Sequence, residues 1–303
     1  MATIDTITTC GNCGKGEESS DDLKACTACK LVKYCNRECQ IAHRPLHKKL
    51  CKKRAAELHE EALFKDPPPP EECPICFLPS WGTDRTTFQS CCGKIICNGC
   101  IHAIDVEALG RGKIGLCAFC REPTPSSDED EIKRLKKLMD ADNSHGYHQL
   151  AGYYDRGDTG MPQDMVKANE LLLRAGELGC AEAYFNLGIS YYNGRGVEVD
   201  KKKANDYYEL AAMNGDVDAR HNLGCDELEA GSFHRAMKHY IIAARAGYKL
   251  SLDAVKAGFM NDMVTKDEYA NTLRAYQSRQ DEMKRSDDRD NVRAHINNGV
   301  MRA

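Results

Sequence analysis

The chain has 303 residues and a formal net charge of −4, so it carries no overall attraction to nucleic acid. No apolar run reaches the roughly 18 residues that a membrane-spanning helix needs. The opening MATIDTITT also lacks an apolar stretch, so neither a secretory signal nor a mitochondrial presequence is expected. That places the chain in the cytoplasm or nucleus, where thiols stay reduced. Of its 17 cysteines, all but Cys180 and Cys225 fall between Cys10 and Cys120. In a reducing compartment such clustering reads as metal binding rather than disulfides.

Composition divides the chain. Residues 67–72, PPPPEE, read as a stiff extended linker. Residues 123–131, PTPSSDEDE, read as an acidic linker too polar to bury a core. The expected domains are a zinc module over 10–51 with a helix continuing to about 66, a second over 73–122, and helical repeats over 132–285. A disordered tail over 286–303 follows. The fold class is multidomain: two small zinc-stabilised modules, then an all-α helical-repeat solenoid.

The first module offers Cys10, Cys13, Cys26, Cys29, Cys35, Cys39, His47 and Cys51 in short pairs. Zinc takes four ligands in a tetrahedron with Zn–S about 2.3 Å, so two thiolates on one ion lie about 3.8 Å apart. Gaps of two or three residues span that distance. Eight donors fill two closed sites with no open position for water, which makes them structural rather than catalytic. His47 and Cys51 lie one helical turn apart and can share an ion. The basic run HKKLCKKR (47–54) lacks interleaved aromatics and reads as a solvated helix face. The run YCNRECQIAHRPLHKKLC (34–51) resembles a MYND finger. The resemblance implies that Cys10, Cys13, Cys35 and Cys39 hold one ion, and Cys26, Cys29, His47 and Cys51 the other. It also implies binding of short proline-containing peptides, although Arg44 stands where the family usually has tryptophan.

The second module offers Cys73, Cys76, Cys91, Cys92, Cys97, Cys100, Cys117 and Cys120, again eight donors. Lys94 stands where a histidine is common, and an ammonium has no lone pair to offer. The pair Cys91-Cys92 therefore supplies two ligands, or one of the two is a spare buried thiol. An extended strand would send adjacent side chains to opposite faces. A tight turn avoids this, and Gly93 permits one. This module resembles a RING finger in an all-cysteine variant. The resemblance implies one ion on Cys73, Cys76, Cys97 and Cys100 and another on Cys91, Cys92, Cys117 and Cys120. It further implies that Ile75, Phe119 and Arg121 contact a ubiquitin-conjugating enzyme. Ala118 stands where proline is frequent.

Each module is too small to be stable without metal. Zinc contributes about 10–16 kcal/mol of apparent binding energy in small fingers, against about 5–15 kcal/mol for the stability of a whole domain. Four zinc ions per chain are expected.

The last part repeats. Asp164, Lys167, Ala168, Asn169, Ala175 and Gly179 recur 36 positions on as Asp200, Lys203, Ala204, Asn205, Ala211 and Gly215. A third copy starts at Leu223 and ends RAMKHYIIAARAG (235–247) with a shortened loop. Such a period signals stacked helix pairs. Ala183, Leu187 and Tyr191 fall on one helix face; Ala204, Tyr208, Ala211 and Ala212 make the next inward stripe. Gly188 is expected where two backbones approach closely. Asp200 and Asp216 are expected N-caps, and Thr265 with Glu268 a capping box opening a helix over 266–285. The stretch 187–215 resembles the Sel-like repeats, relatives of tetratricopeptide repeats. That resemblance implies a curved stack binding protein segments on its concave face. The order of modules resembles that of multidomain proteins of unicellular algae.

The partners expected are other proteins or peptides. The function expected is an interaction adaptor with no catalytic residue of its own. The alternative is a RING-type ubiquitin ligase acting by positioning. Thiol chemistry finds no obvious nucleophile, since Cys180 and Cys225 fall on repeat helices where a small buried residue is ordinary.

Overall fold

In a computed structural model the described residues are 8–16, 23–79, 86–110 and 115–300, the side chains of 106–110 and 284–300 excepted. Most of the MATIDTITT opening and the end of the expected tail, 301–303, lie outside them. The chain forms two compact units, residues 1–65 and 66–303.

In the first unit, β1 (Lys24–Ala25) pairs antiparallel with β2 (Lys33–Tyr34). Helix α1 (Arg37–Leu63) follows, with the Asn36 side chain accepting from the Cys39 N–H at 2.8 Å. Only His47 and Leu63 of this helix are buried. Lys48, Lys49, Lys52 and Lys53 are exposed, and Arg54 pairs with Glu57 and Glu61 along the helix.

The second unit begins with the segment expected as a linker. Pro68 packs near Gly215 in the repeats, and Glu71 Oε1 lies 3.4 Å from His145 Nε2. Strands β3 (Thr86–Gln89) and β4 (Lys94–Cys97) form an antiparallel hairpin, followed by α2 (Asn98–Gly110). The expected acidic linker also turns out to be structured. Helix α3 (Asp128–Asp140) starts inside it, capped by Ser127, with Asp128, Glu129, Asp130 and Glu131 in its first turn. Four carboxylates there complement the positive end of the helix dipole.

The hairpin packs on the repeats. Phe88 packs against the cluster of Leu135, Leu150, Leu171, Leu172 and Leu187. Glu131 accepts from the Ser90 hydroxyl at 2.5 Å and from the Tyr153 hydroxyl at 3.2 Å. The Asn143 side chain donates to the Gly93 carbonyl at 3.4 Å.

The repeats are helix pairs: α4 (Ser144–Arg156) with α5 (Met165–Glu177), α6 (Ala181–Asn193) with α7 (Lys201–Met213), and α8 (Val217–Glu229) with α9 (Phe233–Arg245). Asp164, Asp200 and Asp216 cap the helices that follow them. Helices α10 (Lys249–Met260) and α11 (Lys266–Val300) close the array, and Thr265 and Glu268 form the reciprocal capping box. Helix α11 outruns the expected end near 285, because neither proline nor glycine interrupts the chain before Gly299. Of the two tyrosines placed on inward faces, Tyr208 is buried and Tyr191 packs partly buried against the first cluster, as do Tyr153, Tyr154 and Tyr207, whereas Tyr192 is exposed.

Gly188 does mark a close approach, but to a ring and not to a second backbone: a Cβ there would lie 2.4 Å from the Tyr208 ring. Gly224 meets Tyr240 in the same way at 2.6 Å. Gly152 holds the equivalent place in the first pair, but a Cβ there meets only the flexible Arg156 guanidinium, at 3.1 Å. Gly188→Ala should therefore lose about 1–2 kcal/mol of stability through overpacking. Gly152→Ala should be neutral or gain up to about 1 kcal/mol from helix propensity. Urea unfolding followed by circular dichroism separates the two.

Candidate metal centres

The sixteen donors singled out from the sequence come together as four groups: Cys10, Cys13, Cys35 and Cys39; Cys26, Cys29, His47 and Cys51; Cys73, Cys76, Cys97 and Cys100; and Cys91, Cys92, Cys117 and Cys120. Within each group the ligand atoms lie within 4.8 Å of one another. Sulfur separations include 3.7 Å for Cys13–Cys35, Cys26–Cys51 and Cys76–Cys97, and 3.9 Å for Cys92–Cys117. Cys29 Sγ lies 3.2 Å from His47 Nε2. These are the separations that four ligands on one tetrahedral zinc adopt, and no pair of cysteines is joined as a disulfide. Donor chemistry and spacing fit zinc.

One backbone device presents four of the pairs. In these four Cys-x-x-Cys turns, Cys97 and Cys100 at the start of α2 being apart, the first cysteine's carbonyl accepts from the residue after the second: Gly14 at 2.9 Å, Lys30 at 3.0 Å, Phe77 at 2.9 Å and Arg121 at 3.0 Å. The first cysteine's own N–H is tied back across the turn, to Lys15, Val32, Leu78 and Glu122 in the same order. The residue after the second cysteine is left-handed each time, with φ of 71°, 57°, 57° and 66°. Only the first is glycine. The sequence pattern gave no warning of this constraint, except that a glycine already occupies the first of the four places.

The doubled cysteine sits in the β3–β4 turn. The Gln89 carbonyl accepts from Cys92 at 3.3 Å and Gly93 at 2.8 Å, and Gly93 has φ of +67°. Both thiols thus face one group, Cys91 Sγ lying 3.3 Å from Cys120 Sγ. Gly93 is required twice over, since a Cβ would also lie 2.6 Å from Asn143 Nδ2. Lys94 is exposed and outside the group.

Electrostatics argues for a cation at each centre. Against the cost of burial, backbone N–H groups hold Cys10 and Cys26 down to about 6 and Cys73 down to about 7. Their neighbours are then forced the other way. Cys35 is pushed up to about 12 by its hydrogen bond with Cys39 and by burial, and Cys51 to about 12 by burial and by Cys26. Thiolates this close ionise together only when a cation compensates them. Around the second centre, His43 stacks on His47 at 5.7 Å between ring centroids, and its Nδ1 lies 3.0 Å from the Tyr34 hydroxyl. His43 belongs to the packing behind the ligand, outside the donor group.

Of the three residues expected to meet a conjugating enzyme, Ile75 is half-buried, while Phe119 and Arg121 are exposed on the fourth Cys-x-x-Cys turn. Phe77, which the sequence did not single out, is 71% exposed beside Ile75. No helix among the described residues is long and apolar enough to cross a membrane.

Removing metal should unfold residues 10–51 and 73–122, seen as loss of dichroism in step with zinc release. Cys92→Ser should lower bound zinc from four ions per chain to three by elemental analysis; four retained ions would make Cys92 a spare thiol. Phe77→Gly, which relieves a left-handed backbone at an exposed site, should raise the chelator concentration needed for release by the equivalent of about 0.5–1 kcal/mol.

Comparison with known proteins fits these observations. Residues 10–51 match the MYND finger, and residues 144–180, 181–216 and 217–248 each match the Sel1 repeat. An uncharacterized protein of Neisseria meningitidis serogroup B is 31% identical over 30% of this chain and 19% of its own length. The ERAD-associated E3 ubiquitin-protein ligase component HRD3B of Arabidopsis thaliana is 29% identical over 37% of this chain and 18% of its own length. The chain thus spans about a fifth of these relatives. Among solved structures, a Sel1 repeat protein from Oxalobacter formigenes is 19% identical, with 61% of this chain and 74% of that one covered and a TM-score of 0.45. The chain carries a MYND finger, a further pair of four-cysteine groups and three Sel1 repeats, in that order.

Proposed function

We propose that the chain is a zinc-binding protein–protein interaction adaptor without catalytic residues of its own. The observation that carries this reading is the closure of all four donor groups. With four protein ligands each, zinc has no position left for water or substrate, so it builds surfaces instead of performing chemistry. Sel1 repeats supply an extended surface for a protein partner. A cleft of about 340 Å³ between α4 and α6 is lined by His148, Gln149, Arg156, Glu182, Asn186 and Arg195, and His148 lies 3.0 Å from Asn186. Polar groups of both signs suit a peptide backbone with mixed side chains.

A second reading is a RING-type ubiquitin ligase. Exposure of Phe119 and Arg121 favours it, as does the name of the Arabidopsis relative. In that reading Ile75, Phe119 and Arg121 receive a conjugating enzyme, and the repeats hold the substrate.

The zinc-loaded chain should fail to build ubiquitin chains with any member of a panel of conjugating enzymes. It should retain protein partners that a His148→Ala, Asn186→Ala double variant loses. Ubiquitin transfer that Ile75→Ala abolishes would replace the adaptor with the ligase.

A further inference from the structure

The basic run 47–54, expected as a solvated helix face, belongs to a longer cationic surface of α1. Arg37, Ile41, Arg44, Lys48 and Lys52 follow one another at intervals of four, three, four and four residues. At 3.6 residues per turn this spacing keeps all five within a stripe about 80° wide and about 22 Å long. All five are exposed. Among the described residues none of the four cations has a carboxylate within ion-pair distance. Farther along the same helix carboxylates are at hand and are paired: Glu57 with Lys53 and Arg54, and Glu61 with Arg54. Between Arg37 and Lys53 the only acidic residue is Glu38. Arg44, Lys48 and Lys52 repel one another along the helix, since like charges four residues apart are neighbours. In the midst of these cations Ile41 is 58% exposed.

We infer that this face of α1 docks an acidic polypeptide segment, with carboxylates on Arg37, Arg44, Lys48 and Lys52 and an apolar side chain on Ile41. Charge complementarity identifies the occupant: an anionic partner neutralises four cations that the described residues leave unpaired and relieves their mutual repulsion. A helical partner repeats its own charges at three- and four-residue intervals, so carboxylates and cations keep step along the stripe. A phosphate backbone would meet the same cations, but it has no use for an isoleucine among them, and no aromatic side chain interleaves them for a base to stack on. Ile41 therefore favours a polypeptide over a nucleic acid. None of these residues belongs to the cleft between α4 and α6, so failure of this inference leaves the adaptor reading standing.

The test uses the zinc-loaded full chain and fluorescence anisotropy. The probes are a labelled peptide repeating Glu-Glu-Leu-Glu, the same peptide with glutamine for every glutamate, and an oligothymidylate of equal charge. The acidic peptide should bind and the glutamine peptide should not. Raising salt from about 50 to about 300 mM should weaken binding at least tenfold, because the contacts are exposed and screened. Lys48→Glu combined with Lys52→Glu should weaken it at least tenfold with zinc retained, and Ile41→Ser about threefold through lost apolar contact. Lys256→Glu, at an exposed position of α10, should leave it unchanged. Absence of binding by the acidic peptide overturns the inference, as does full binding by a zinc-retaining double variant. Tighter binding of the oligothymidylate than of the acidic peptide also overturns it and makes the face a nucleic-acid surface. Should the double variant lose zinc, Arg44→Glu decides in its place by the same tenfold criterion.

Discussion

Four ligands meeting on one cation is the constraint on which the front of this chain depends. Around the first two centres the buried apolar cluster is Cys10, Leu23, Cys26, Cys29 and Tyr34; around the second two it is Cys73, Ile96, Cys97, Cys100, Cys117 and Ala118. These interiors are mostly sulfur. Without the cation they offer too little apolar area to offset the entropy of ordering the chain. They also bring thiols together whose ionisation each opposes the next. The same bond energy tolerates Lys30, Phe77 and Arg121 in left-handed conformations that cost about 1–2 kcal/mol apiece.

That constraint reaches beyond the metal centres. The fourth centre shares its turn with the residues that dock on the repeats: Ser90 bonds Glu131, and Gly93 meets Asn143, on either side of Cys91 and Cys92. Phe88, two residues before that turn, enters the first repeat cluster. A stack of helix pairs exposes an apolar face at each end and needs a cap there. Here the hairpin that carries Cys91 and Cys92 packs on one such end, against α3 and the first repeat cluster. The hairpin and the repeats accordingly fall within one compact unit, residues 66–303.

Much of this was legible in the sequence because its causes are local. Ligand spacing is set by the tetrahedron, so pairs such as Cys117 and Cys120 announce themselves. The 36-residue period exposes the helix pairs, and Asp200 and Asp216 act within one turn of where they stand. What escaped depends on partners distant in sequence. PPPPEE and PTPSSDEDE are polar, and polarity alone says only that a segment does not make a core. Glu71 finds His145, and Glu131 finds Ser90 and Tyr153, through the fold.

Arg121 shows how a structural and a functional demand on one position can be separated. The backbone requires a residue there that accepts a positive φ and donates its N–H to the Cys117 carbonyl. Glycine meets that demand best, and the first turn uses Gly14. The other three turns use lysine, phenylalanine and arginine, which share no property that a left-handed backbone prefers. Turn geometry therefore does not select these side chains. Lys30, Phe77 and Arg121 are exposed, and the last two follow cysteine turns of the same module. Phe77 and Arg121, with Phe119 beside the latter, lie exposed on the turns of the second zinc module.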